Sequence, residues 1–223
     1  MKKLIVEITK ELKLVLTGKS LDILLPPIIF LILNSIFTLI IALIGSLIIN
    51  IVFFVLRIIQ KENLFYALGG LVGVILAITL AYVNNNGSNF FLPDIIGTVV
   101  LVIVTIVSLF IRKPLAIFVS HITRGWDLEW FFREDVLPAY REVTIFWLFF
   151  FIARLSVEVY LYLESTVEEL VVANIIMGIP LLITVLTISY IYGIARLRRM
   201  GGPGIDEFMD GVNPPYRGQV KGF

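Results

Sequence analysis

Two charged side chains stand where a membrane would make them costly. Arg154 and Glu158 follow the run Ile145-Phe146-Trp147-Leu148-Phe149-Phe150-Phe151-Ile152-Ala153, inside a segment that is otherwise apolar. A charge at mid-bilayer costs about 2.5–3.5 kcal/mol on insertion scales, so both groups must face protein or water. Their i,i+4 spacing puts them on one helix face, where they can pair. That predicts either a solute or proton pathway, or an ion pair that locks this helix against its neighbours. Asn34, Asn50 and Asn174 are amides within apolar segments and complete the candidate intramembrane polar site. Such neutral groups also serve as interhelical hydrogen-bond glue.

Helix breakers supply a second set of candidates, Pro26-Pro27 and Gly178-Ile179-Pro180. Proline removes a backbone donor and can leave carbonyls that line a cavity, as in the discontinuous helices of transporters. Gly69 and Gly73 have the small-xxx-small spacing of close helix packing.

Other chemistries are excluded or disfavoured. The chain has no cysteine, and His121 is the sole histidine, so no metal site and no thiol nucleophile is expected. It carries no Gly-rich phosphate loop, no nucleophile elbow and no His-Glu metal motif. The expectation is a protein that is not an enzyme and needs no cofactor. A net charge of +1 gives no reason to expect nucleic acid as a partner.

The elements that must hold these residues follow from composition. With 59% hydrophobic and 16% charged residues, the chain departs from soluble domains, which are about 45–50% apolar and about a quarter charged. An all-α, polytopic membrane protein is predicted. Spans are expected at about 20–37, 39–57, 63–83, 94–111, 142–163 and 170–195, each of a length that can cross a core about 30 Å thick. The first two come from one block, since Ile23 to Leu56 has no charge over 34 residues.

Basic residues decide how that block is read, because Lys and Arg in short loops stay on the cytoplasmic side. Five precede residue 20, two lie in 57–62, five in 112–141 and five after 195, with none in 84–93 or 164–169. A hairpin over 23–56 puts all seventeen on one side, whereas a single helix divides them five against twelve. The hairpin is preferred, with its turn near Asn34, Ser35 and Thr38. Both termini are then cytoplasmic, in the cytoplasmic (inner) membrane.

Residues 1–19 read as an amphipathic interfacial helix, with Leu4, Ile5, Ile8, Leu12, Val15 and Leu16 at helical spacing among lysines. Residues 112–141 read as a cytoplasmic cap. Its Trp126, Trp130, Phe131 and Phe132, interleaved with charges, are expected at the headgroup region, with His121 solvated nearby. Residues 196–223 are expected to form a cytoplasmic tail, and the turn-rich stretch from Gly201 points to disorder. Asp94, Glu164, Glu168 and Glu169 make the opposite face acidic; Asp94 and Glu168 also suit helix N-termini.

Several strings carry a resemblance when taken in order: Leu25-Pro26-Pro27, Ala67 to Val74, Phe90-Phe91-Leu92-Pro93, Arg112-Lys113-Pro114-Leu115, and Leu137-Pro138-Ala139-Tyr140 running on to Trp147 and Arg154-Leu155. Over residues 20–195 the chain resembles a family of bacterial integral membrane proteins without assigned function. It departs from that family at Ile36-Phe37, where small turn formers are replaced. The family is distantly similar to intracellular septation protein A, a likeness carried by the Lys-Pro-Leu string and the tryptophan-rich helix after it. That likeness implies a role in cell-envelope synthesis or division, and implies no site residues.

Three functions are therefore expected in order. The first is a small transporter or channel-like protein with a polar site around Arg154 and Glu158. The second is a non-transporting organiser that binds envelope or division proteins. The third is an intramembrane enzyme. The lipid bilayer is the certain neighbour, and a homodimer is the expected assembly.

Overall fold

A computed structural model describes residues 20–60, 64–164, 166–220 and 222–223. The interfacial helix expected over residues 1–19 lies outside the described residues. Among these residues the regular structure is helical throughout: α1 (Ser20–Ile36), α2 (Leu39–Ile59), α3 (Leu64–Val83), a 3₁₀ turn (Gly87–Phe91), α4 (Leu92–Phe110), α5 (Leu115–Arg124), α6 (Leu128–Phe131), α7 (Leu137–Glu164), α8 (Val167–Met177), α9 (Ile179–Met200) and α10 (Ile205–Met209). Among the described residues four stretches are long and apolar enough to cross a membrane: Leu39–Ile59, Gly87–Phe110, Leu137–Glu164 and Val167–Met200. The 21 residues of α2 give about 31 Å of helix, close to the hydrocarbon thickness.

The chain forms two compact units, one from residues 1–97 and 155–181, the other from 98–154 and 182–223. In the first unit the apolar block after Asp22 is two helices. Phe37 N–H closes α1 on Leu33 O at 2.8 Å, and Thr38 turns extended as the N-cap of α2. No glycine is needed, because no residue of the turn takes a positive φ, and Ser35 Oγ bonds back to the Leu31 and Ile32 carbonyls, at 3.0 Å each. The two helices approach closely at Gly45, where a Cβ would lie 2.1 Å from Leu33 Cδ1. Phe30 then stacks on Phe90 at 4.4 Å, with Phe91 edge-on, and Ala42, Leu43, Ala77, Ala81, Leu170 and Val171 close the core. Ile40, Ile44 and Ile48, one turn apart on α2, point outward as a lipid-facing stripe would.

The double proline was expected to break the first helix, but α1 is continuous from Ser20 to Ile36. Proline costs a helix one backbone bond and bends it; membrane helices carry it where neighbouring groups take up the freed carbonyls. At the other expected break, Gly178 separates α8 from α9, and Pro180 is the second residue of α9. A Cβ on Gly178 would meet Asn174 O at 2.9 Å, so glycine permits this junction.

In the second unit the cap is a folded core. Trp130 and Phe131 have 0% exposure and pack with Ile117, Val136, Ala139 and Tyr140. They were expected among lipid headgroups; they lie inside protein, because Trp130 has a better partner for its indole N–H in Pro203 O, at 2.9 Å. Trp126 and Phe132 pack against the same cluster while half-buried. The stretch after Gly201 was expected to be disordered, and it too is folded. Glu207 accepts backbone N–H bonds from Arg217 (2.7 Å), Gly204 (2.9 Å) and Gly218 (3.1 Å). Gln219 accepts from Ile205 N–H and donates to Gly222 O, and Phe223 stacks on Tyr140 at 4.3 Å.

Candidate functional site

The first unit holds a small cavity with mostly apolar walls and three polar side chains among them. Helix α8 begins at a capping box, in which the Thr166 hydroxyl accepts from Glu169 N–H and the Glu169 carboxylate accepts from Thr166 N–H. The start of the helix is thereby fixed, and Leu170, Ala173, Asn174 and Met177 recur at i, i+3, i+4 and i+7 on one face. Glu158 and Leu161 of α7, Asp94 and Ile95 at the start of α4, and Phe91 close the cavity against that face. Its free space is about 10 Å3, roughly what one water needs.

Two carboxylates and an amide therefore meet among apolar side chains. Asn174 Nδ2 donates to Asp94 Oδ2 at 2.8 Å, and Glu158 is 5% exposed. By helix rise Glu158 lies about 9 Å before the end of α7 at Glu164. Glu158 is buried and Asp94 is exposed, so the cavity sets a carboxylate that needs hydrogen-bond donors or a cation to offset lost hydration beside one that water reaches. It is too small for an organic solute. Among the described residues no group of three or more His, Asp or Glu could hold a metal ion.

Of the five residues predicted for the polar site, Glu158 and Asn174 share this cavity. Asn34 in α1 and Asn50 in α2 do not line it; both are half-buried on the hairpin. Arg154, half-buried one turn before Glu158 on α7, is also outside the lining and belongs to the other unit. Asp94 was read as an acidic helix start and not as part of a site. Its position in the first turn of an apolar helix was the available signal.

Sequence reading also missed a cluster in the second unit. Arg196 Nε and Nη2 grip the Glu142 carboxylate at 2.9 and 3.0 Å, and Tyr192 O–H donates to it at 2.6 Å. About a third of each charged side chain stays exposed, so solvent screens the pair, which joins α7 to α9. A groove of about 340 Å3 runs beside it, walled by Ile145, Phe146, Phe149 and Ile188. Deeper along the same helices, Trp147 Nε1 donates to Ser189 Oγ at 2.8 Å.

A family model described as a protein of unknown function matches residues 19–199. No curated protein and no solved structure matches the chain. The expected membership in a family without assigned function agrees with this match, whereas nothing in the comparisons supports the likeness to intracellular septation protein A.

Proposed function

The chain belongs to the family described as protein of unknown function (DUF3159), a membership that assigns no activity, and we propose that it is a small transporter or channel-like membrane protein whose Glu158–Asp94–Asn174 cavity binds a proton or a bare monovalent cation. One observation carries the proposal: a nearly fully buried carboxylate faces a second carboxylate's cavity within an apolar helical unit. Intramembrane ionisable groups of this kind mark ion pathways and proton relays, because lipid makes them too costly to keep without use. The cavity's size selects the ion over an organic cargo. The reading involves no catalysis, in keeping with the lack of any catalytic motif in the sequence.

The same proposal includes six spans, with α1 and α3 crossing alongside the four longer stretches. Both termini then lie on the cytoplasmic side of the inner membrane, as the grouping of basic residues favours. A homodimer is its expected assembly. The test is reconstitution into liposomes loaded with a pH-sensitive dye, followed by an imposed membrane potential. Wild-type protein should carry protons, and Glu158→Gln, folded by its melting curve, should not. Equal flux in the two proteins would sink the proposal.

A second reading, the membrane organiser, draws on a different observation. Ile122 is 80% exposed and Met209 66% exposed on the folded cap, more apolar surface than a solvated subdomain needs. Replacing both by Ser should release co-purifying envelope or division proteins if this reading holds. Retention of such partners by the double variant would count against it.

A further inference from the structure

The folded cap of the second unit contains a cavity of about 430 Å3, lined by His121, Trp126, Asp127, Leu128, Ile205 and Met209 among others. Ligand pockets commonly span about 300–1,000 Å3, so this one has room for an organic molecule. Trp126, Leu128, Ile205 and Met209 give it apolar walls. Its polar side chains are His121 and Asp127, and both can be assigned a role. His121 Nδ1 lies 2.6 Å from Trp126 O, which can only accept, so Nδ1 donates to that carbonyl and the ring is held in place. Asp127 uses Oδ1 to accept Glu129 N–H at 2.9 Å and keeps Oδ2. The Gly125 N–H, which could have been a donor, is spent on His121 O at 2.8 Å.

Asp127 thus gives the cavity an acceptor and a negative charge. The elements around it add Glu129 and Asp206 to Asp127, against Arg124 and Arg133, while Glu207 and Arg217 face each other at 3.7 Å. Both remaining cations are engaged: Arg124 lies over the Trp126 ring at 5.0 Å and donates to Phe223 O at 3.0 Å, and Arg133, over the Phe208 ring, pairs with Asp135 at 2.8 Å. An anion would meet repulsion here. A neutral donor would gain less than a charged one, since hydrogen bonds to ionised groups are about twice as strong. From this we infer that the cap binds a small organic amine, its ammonium held by Asp127 Oδ2 and its apolar body on Trp126, Leu128 and Met209. The inference is independent of the Glu158 cavity and stands or falls separately.

The chain's four methionines make the test specific, because Met209 lines this cavity and Met177 lies in the other unit. Full-length protein with labelled methionine methyl groups, in detergent micelles, is titrated with phenethylamine, 2-phenylethanol and phenylacetate, which share one skeleton and differ in charge. Met209→Leu assigns the reporter signal. Phenethylamine should shift the Met209 methyl saturably and leave Met177 in place, and phenylacetate should do neither. Asp127→Asn keeps the helix cap, since Asn caps as well as Asp. It should weaken amine binding by about tenfold or more. No saturable shift, equal shifts by the alcohol or the acid, or unchanged binding by Asp127→Asn would overturn the assignment.

Discussion

Replacing Gly193 by Ala should eject the last turn of the folded tail. A Cβ at this position would lie 2.2–2.3 Å from three ring atoms of Phe223, and no real side chain tolerates that approach. The ring must leave its slot, where it is 8% exposed and stacked on Tyr140 with an interplanar angle of 12°. Burying a phenylalanine is worth about 1.5–3 kcal/mol. A well-placed aromatic pair adds about 0.5–1.5 kcal/mol. The tail should therefore lose roughly 2–4 kcal/mol of local stability, which multiplies its open population by roughly 30 to 1,000. Amide hydrogen exchange over residues 213–223 reads this directly, because local opening governs exchange there. Phe223→Ala should give a similar gain in exchange without any clash, and the two substitutions together should add little to either. Unchanged exchange in Gly193→Ala would refute the packing argument.

Two further predictions concern other parts of the fold. The Glu207 carboxylate is held below its ordinary pKa, chiefly by the backbone N–H groups of Arg217 and Gly204, so its contribution to tail stability is full above the unfolded-state value of about 4.3. That contribution should fade as pH falls through the lower folded-state value, read as rising exchange in 204–220; Glu207→Gln should lose this acid dependence, and a Gln variant with the wild-type profile would contradict the assignment. In the first unit, a Cβ on Gly45 would crowd only Leu33 Cδ1, the end of a side chain that can swing aside, while Ala gains about 1 kcal/mol of helix propensity, so Gly45→Ala should leave the melting point level or higher; a clear fall would mean that Leu33 has no room to move.

Long charge-free runs made the helices legible, since only a helix can bury that much unbroken apolar backbone in lipid. The division of the first block was legible for a different reason. The basic residues gather on one side only if the block doubles back, and the structure turns at Phe37 and Thr38. Tertiary pairing was not legible. Asn174 meets Asp94 across 80 positions and Arg196 meets Glu142 across 54, and no local pattern encodes either. Glu158 could be singled out because an acid inside an apolar run is visible alone, whereas Asp94 was masked by its plausible role at a helix start. The cap misled for a chemical reason: tryptophan interleaved with charge suits headgroups, yet the same indole is equally satisfied by a buried carbonyl such as Pro203 O. The tail misled because Gly, Pro and polar residues read as disorder, while here Glu207 and Gln219 satisfy its turns from within.

The most direct test of an ion-binding Glu158 is electrical. Protein reconstituted in a planar bilayer with a pH gradient and matched salt should pass current that reverses near the proton equilibrium potential, and Glu158→Gln should abolish it; reversal at another cation's potential would identify that ion instead. Current no larger than that of protein-free lipid, or one that survives Glu158→Gln intact, would contradict the account.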